Sequence, residues 1–312
     1  MRVTQNLFAD SLVGRLNSLT ARQYSLQNQV SSGLRISAPS DDPAAMQSVL
    51  NYKTGQAAQA QYASNISTLQ ARSASTFSVL QQLQTLASDV GVIATTAGDL
   101  IQSDLSVYAG KVSDSIEAAL AQVNKKDPAT GQYLFGGTNS GQPPFVATRD
   151  AGGKVTGVAY QGNTSVNDSE IAAGSTVTTD VPGANTFGIG PRGLITDSTS
   201  GADFFNHLIS LRDHLLANDK AAVTTTDTAA LKKDEDNFLY QVSINGSLQS
   251  RLDTAATAAG DNTITYDKMI SRAADADLVQ TLVQLNQAQN SYQAALQSGS
   301  KIMQLSLLNY IQ

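Results

Sequence analysis

The chain has no cysteine and no tryptophan, only two histidines in 312 residues, and few aromatic or charged side chains, at 6% and 15%. Without cysteine there are no disulfides and no thiolate metal ligands, and both cytosolic and extracellular destinations stay open. So few aromatics argue against a large globular core. A net charge of -6 gives no electrostatic case for a nucleic-acid partner, which needs lysine and arginine to neutralise phosphates. No apolar run reaches membrane-spanning length, so no membrane insertion is expected. The opening, Met1-Arg2-Val3-Thr4-Gln5-Asn6-Leu7-Phe8, lacks the apolar stretch and small-residue cleavage site of a secretory signal. Export, if it occurs, is expected by a route without a cleaved signal.

What the chain does have is a pair of patterned helical ends, the front one mildly basic with Arg2, Arg15, Arg22 and Arg35 against Asp10, and the tail almost neutral. The last thirty-five residues contain no aspartate or glutamate and one charged side chain, Lys301. Their larger side chains, Leu278, Leu282, Leu285, Tyr292, Leu296, Met303 and Tyr310, fall on one three-four register with Gln289, Gly299 and Ser306 in the remaining positions, which is a coiled-coil pattern. The flanks are Gln, Asn, Ser and Ala, poorly suited to standing alone in water. A helix over this span is ~50 Å long at ~1.5 Å per residue, too long to bury in a compact domain, so it needs a partner. A matching pattern near the front, Leu12, Leu16, Leu19, Leu26 and Val30 with Gln23 in the missing slot, supplies one. The two ends are expected to pair antiparallel if the chain between them goes out and comes back.

That middle is read in order. Gly33 is placed to end the first helix. A turn follows, and Asp42 at N-cap with Pro43 at the first helical position opens the next helix. Asp41 and Asp42 are assigned to turn and cap rather than to a cation, since no third acidic ligand lies nearby. Ala44 to Val90 reads as a long helix, with Gly91 and Gly98 as candidate interruptions and a continuation from Leu105 to Val123. Between Gly136 and Gly193 lie twelve of the 23 glycines and four of the seven prolines, around short β-branched runs such as Lys154–Tyr160 and Ser175–Thr179. This predicts a small β domain inserted between helical segments, with Phe145, Val155, Tyr160, Ile171, Val177 and Phe187 as a modest core. A disordered glycine-rich linker is the alternative. Helix is expected again from about Asp203, with Phe204, Leu208, Leu211 and Leu215 on one face, then a mixed-charge loop, a helix over Leu231–Leu252, and helical pattern from about Thr265 into the tail.

Little in the chain carries chemistry. His207 and His214 are seven residues apart on one predicted helix, whereas zinc pairs on a helix use four-residue spacing, so surface or edge-of-core roles are expected. Gly136-Gly137 and Gly152-Gly153 sit in no strand-to-helix phosphate loop and read as turns. No nucleophile, base and orienting group can be nominated, so neither an enzyme nor a cofactor is expected. By periodicity alone an ordinary helical bundle, a filament-type assembly protein and a coiled-coil adhesin or interaction module all remain open.

Ser31-Ser32-Gly33-Leu34-Arg35-Ile36 followed by Ser40-Asp41-Asp42-Pro43-Ala44-Ala45 resembles the N-terminal signature of the flagellin superfamily. Flagellins proper usually run from the paired aspartates into Ala and Gly. Pro39-Ser40-Asp41-Asp42-Pro43 is closer to the hook–filament junction family, as are Tyr133-Leu134-Phe135-Gly136-Gly137-Thr138 with Pro144-Phe145 downstream, and the ending Gln304-Leu305-Ser306-Leu307-Leu308-Asn309-Tyr310-Ile311. The resemblance covers both ends well and the β insertion loosely. It implies an elongated, mainly α subunit with an inserted β domain, secreted unfolded through the flagellar export apparatus and located at the hook–filament junction. It also implies assembly as a ring of copies of itself, a hook-associated neighbour on one side, flagellin on the other, and a cytosolic export chaperone. A short filament flagellin is the competing member of the superfamily.

The expected division is a terminal coiled-coil domain of 1–42 plus 278–312, a helical bundle of 43–135 plus 200–277, and a β domain of 136–199. The expected assembly residues are Leu12, Leu16, Leu19, Leu26, Val30, Leu278, Leu282, Leu285, Tyr292, Leu296, Met303, Leu305 and Leu308. Gly33, Arg35, Asp41, Asp42 and Pro43 form the signature turn. Near-balance between apolar burial and backbone entropy further implies ends that are mobile in the free monomer and settle against neighbouring copies.

Overall fold

The structure is a computed structural model that describes the backbone of residues 2–99 and 101–311 and the side chains of 10–99, 101 and 104–301. It is mainly α with a small β portion. Helix α1 spans Arg2–Ser32, α2 Pro43–Thr96, α3 Gln102–Val123 and α4 Phe204–Leu216. A short α5 (Lys220–Ala222) passes through a π turn (Val223–Asp227) into α6 (Thr228–Ala274), and α7 spans Leu278–Ile311. Seven short strands lie between α3 and α4: β1 Phe145–Arg149, β2 Val155–Tyr160, β3 Ser169–Ala172, β4 Ser175–Val177, β5 Ala184–Asn185, β6 Thr196–Asp197 and β7 Ala202–Asp203.

Helix ends follow the local chemistry. Gly33 takes φ +72° and donates its N–H to the Gln29 carbonyl, closing α1 in a conformation that a side chain would strain. Asp42 Oδ1 accepts the Ala45 N–H at 3.1 Å and Pro43 opens α2. Gly91 does not interrupt α2: its neighbours Val90, Ile93 and Ala94 are buried, which outweighs the ~1 kcal/mol that a mid-helix glycine costs. Gly98 does fall at the end, in a short 3₁₀ turn from Ala97 to Asp99.

Two expectations for the second half are corrected. The stretch after α4 is not a free loop: Asn218 turns at φ +60°, Asp219 caps α5, and the chain coils on into α6. Helix α6 then runs unbroken through Gly246 and Gly260, because Leu248, Leu252, Ala255, Ala256 and Ala259 keep one apolar face packed across the stretch where no helix was expected. The real break comes later, at Asp275–Asp277, where Asp277 Oδ1 accepts the Gln280 N–H at 3.1 Å and starts α7.

The chain divides into two compact units, 1–58 with 261–312, and 59–260. In the larger unit, one core joins α2, α3, α4 and α6 through Leu80, Leu83, Val112, Ile116, Phe204, Leu208, Leu211 and Phe238. The β portion has no core of its own. Phe145 and Val155 belong to that same cluster, and Ile171 and Val177 pack with Ile66, Leu69 and Leu252 in a second one. Its three sheets are separate two- or three-stranded pieces, too small to be stable alone. Fully buried Arg212 on α4 holds β2 by donating to the Val155 carbonyl at 2.6 Å. Arg72 on α2 pairs with Asp180 at 2.8 Å. Phe187, expected inside, is 83% exposed.

Candidate assembly surfaces

In the smaller unit, α1 and α7 pack antiparallel: Leu12 meets Gly299 near one end, and the Gly33 carbonyl accepts the Ala276 N–H at 2.8 Å at the other. Leu12, Leu16, Leu19, Gln23, Leu26 and Val30 all lie on the packed face of α1, as their spacing predicts. Only Leu26 is fully buried; the others are half-buried.

Helix α7 presents a different face from the one its large residues trace. The residues turned to α1 are Thr281, Leu285, Ala288, Tyr292, Ala295 and Gly299. Leu285 and Tyr292 are shared with the expected register, whereas Leu278, Leu282 and Leu296 are 46%, 45% and 45% exposed. At about 100° per residue these three sit roughly 60 to 100° around the helix from the contact face. The reason is spatial. Leucines on α1 need small residues opposite them for the helices to approach closely, and Gly299 supplies the extreme case, since a Cβ there would lie 2.5 Å from Leu12 Cδ2. The large aliphatic side chains of α7 are thereby turned outward, joined by Val279 and Val283 at 75% and 61% exposed. Met303, Leu305 and Leu308 lie outside the described side chains.

The signature turn is a clamp on this pair. Arg35 donates its backbone N–H to the Ala274 carbonyl at 2.6 Å and its guanidinium to the Ala273 carbonyl at 2.8 Å, tying the exit of α1 to the end of α6. The same guanidinium lies 3.5 Å from Asp42, so one arginine links the turn, the α2 cap and the α6–α7 break. Asp41 accepts the backbone N–H groups of Ala38 and Ser37, both at 2.9 Å, which hold its carboxyl below the usual carboxylate range. Every residue of the signature has a structural duty. A little further along, Gly55 on α2 gives Tyr266 of α6 room to lie against the backbone.

The larger unit holds polar features that sequence patterning did not single out. Asn237, Gln241 and Asn245, four residues apart on α6, are all buried. Asn237 donates to the Gly193 and Leu194 carbonyls at 2.9 Å, Gln241 to that of Arg192 at 3.1 Å, and Asn245 to that of Ser73 at 3.3 Å. An amide every fourth residue is a visible signal in the sequence, but its partners are not. The two histidines each meet a buried aspartate: His207 Nδ1 is 2.7 Å from Asp234, and His214 Nδ1 is 2.7 Å from Asp227. Among the described residues no cluster of three histidine, aspartate or glutamate side chains could hold a metal. No helix there is long and apolar enough to cross a membrane.

No profile of a known protein family matches the chain. In sequence it is 27% identical to flagellar hook-associated protein 3 of Salmonella typhimurium, across 96% of this chain and 95% of that one. In structure it resembles a candidate flagellar hook-associated protein from Vibrio parahaemolyticus, with a TM-score of 0.63 and 21% identity over 75% of this chain and all of that one. It also resembles flagellar hook-associated protein 3 of Legionella pneumophila, with a TM-score of 0.58 and 13% identity over 72% and 98%. At those identities the structures establish the fold, while the sequence match runs almost end to end. The chain is thus similar, almost end to end, to a flagellar hook-associated protein, and it shares the fold of flagellar hook-associated proteins from two further organisms.

Proposed function

We propose that this chain is a structural adaptor of the bacterial flagellum, set between hook and filament and assembling there as a ring of identical copies. The observation that carries the reading is the outward stripe on α7, where Leu278, Val279, Leu282, Val283 and Leu296 remain exposed although α1 already covers the neighbouring face. A stripe of that size on one helix is a surface waiting for other protein. Fully burying a large aliphatic side chain is worth roughly 1.5 to 3 kcal/mol. Five of them, repeated on every copy, are enough to drive association once the helices are ordered. The half-buried leucines of α1 fit the same reading, since neighbouring copies can finish what α7 leaves open.

Its partners in this reading are copies of itself, a hook-associated protein on the hook side, flagellin on the filament side, and a cytosolic chaperone that covers the uncharged end before export. Its role is geometric and requires no catalysis. Deleting the gene is expected to leave hooks intact, abolish filaments and release flagellin into the medium. Full-length filaments on the deletion strain would overturn the proposal. Filaments that shorten in proportion to the loss would point to a filament flagellin instead.

A further inference from the structure

The loop between β5 and β6 is built as a rigid apolar knob. Phe187 and Ile189 are 83% and 84% exposed, more than any other large hydrophobic side chain among the described residues. They are not on a slack segment. Asn185, itself 1% exposed, donates to the carbonyls of Ile189 and Pro191 at 3.0 and 2.8 Å and accepts the Phe187 N–H at 3.0 Å. The base of the loop is pinned to α6 by Asn237 and Gln241, and the Arg192 guanidinium lies 4.2 Å above the ring of half-exposed Tyr240. A preorganised apolar tip loses little conformational freedom on binding, which is what an interface anchor requires.

The same unit contains a groove of about 490 Å³ between the C-terminal part of α2 and the start of α6. Ala87, Gly91, Val92 and Leu231 form its apolar side, with Lys232 and Glu235 at the rim. Gly91 opens it: a Cβ added there would meet no atom within 4 Å.

Knob and groove occupy opposite sides of one helix. At about 100° per residue, Thr228, Lys232 and Glu235, which line the groove, lie roughly 170° around α6 from Asn237 and Gln241, which hold the knob. A head-to-tail contact between identical subunits needs two different surfaces pointing away from each other, and this arrangement provides them. Charge agrees with it. Lys232 is shared at the groove rim by two carboxylates, Glu235 at 3.0 Å and Asp236 at 3.1 Å, whereas Arg192 at the knob has no carboxylate within ion-pair distance among the described residues. The rim therefore carries a surplus negative charge and the knob a surplus positive one.

We propose that the Phe187–Ile189 loop of one copy seats in the α2–α6 groove of the next, a lateral contact additional to the α1–α7 surface. It rests on the reading that copies of this chain stand side by side in an assembly.

Because the natural chain lacks cysteine, the contact can be read by cross-linking. A full-length chain carrying Ile189→Cys and Val92→Cys, both at exposed positions, is expressed in the deletion strain, and isolated flagella are oxidised. The expected result is a ladder of covalent multimers that neither single-cysteine chain gives and that adding Gly91→Phe removes. Double-cysteine chain present in the flagella without a ladder would overturn the contact. A second readout does not depend on cysteine: Phe187→Ser with Ile189→Ser is expected to lower recovery of the chain in isolated flagella at least tenfold with an unchanged melting temperature. Unchanged recovery would overturn it equally. Immunolabelling of the unaltered chain tests the junction reading separately, so the two can fail independently.

Discussion

Asp234 is 1% exposed on α6, and the cost of burying its charge is met by His207 of α4, 2.7 Å away. Burial alone would lower the His207 pKa, but the hydrogen bond and charge of Asp234, helped by Asp203 and opposed by Lys233, raise it above 6.5. The Asp234 carboxyl is itself pushed up by burial. Both shifts have the same sign in their effect on stability. A histidine whose pKa is raised on folding stabilises fully below its unfolded value and loses that contribution as pH rises through its folded value; a buried carboxyl with a raised pKa likewise favours the folded chain at low pH. The melting temperature of the larger unit should therefore fall as pH rises above about 6.5, and His207→Gln should flatten that fall. Calorimetry on both chains decides it, and equal slopes would contradict this account of the pair. The two histidines could be placed on one helix face from their spacing. Their partners could not, because Asp227 and Asp234 approach only after the chain has turned through Asn218 and the π segment.

At the scale of elements, α1 and α7 illustrate what helical spacing reveals. The α1 seam is legible because its buried positions are also its large ones. In α7 the two properties separate: Thr281, Ala288 and Gly299 are the closest-packed residues and carry almost no hydrophobic signal, so the eye follows Leu278, Leu282 and Leu296 to the neighbouring face. The difference makes opposite predictions for two kinds of substitution. Leu26→Ala removes a buried side chain and should destabilise the α1–α7 pair by about 2 to 4 kcal/mol, read as faster hydrogen exchange across both helices. Leu282→Asp or Leu296→Asp changes an exposed position and should alter monomer stability by no more than about 0.5 kcal/mol while abolishing incorporation into flagella. If Leu296→Asp assembles like the natural chain, the outward stripe is not an assembly surface. The β strands were legible as strands from their valines and threonines, but not as parts of the helical core. Nothing in Phe145 or Ile171 says whether the apolar layer opposite is another sheet or α2, α4 and α6.

The whole molecule joins two kinds of economy. Its last helix carries almost no charge, as the proposed assembly surface requires, and its middle packs small sheets directly on helices, so that shared core residues serve both. Fold class and family resemblance were therefore readable from composition and from a few turns, while the continuity of α6 through Gly246 and Gly260 and the break at Asp275–Asp277 were not. Both depend on what packs alongside: a continuous apolar face carries α6 past its glycines, and the break pairs with the turn after α1 through Leu34 and Asp275. The central claim concerns where such a molecule sits. Cryo-electron tomography of intact flagella with gold-labelled antibody against this chain tests it most directly. The account predicts a single short band where hook meets filament; label distributed along the filament, or absent from the flagellum, would contradict it.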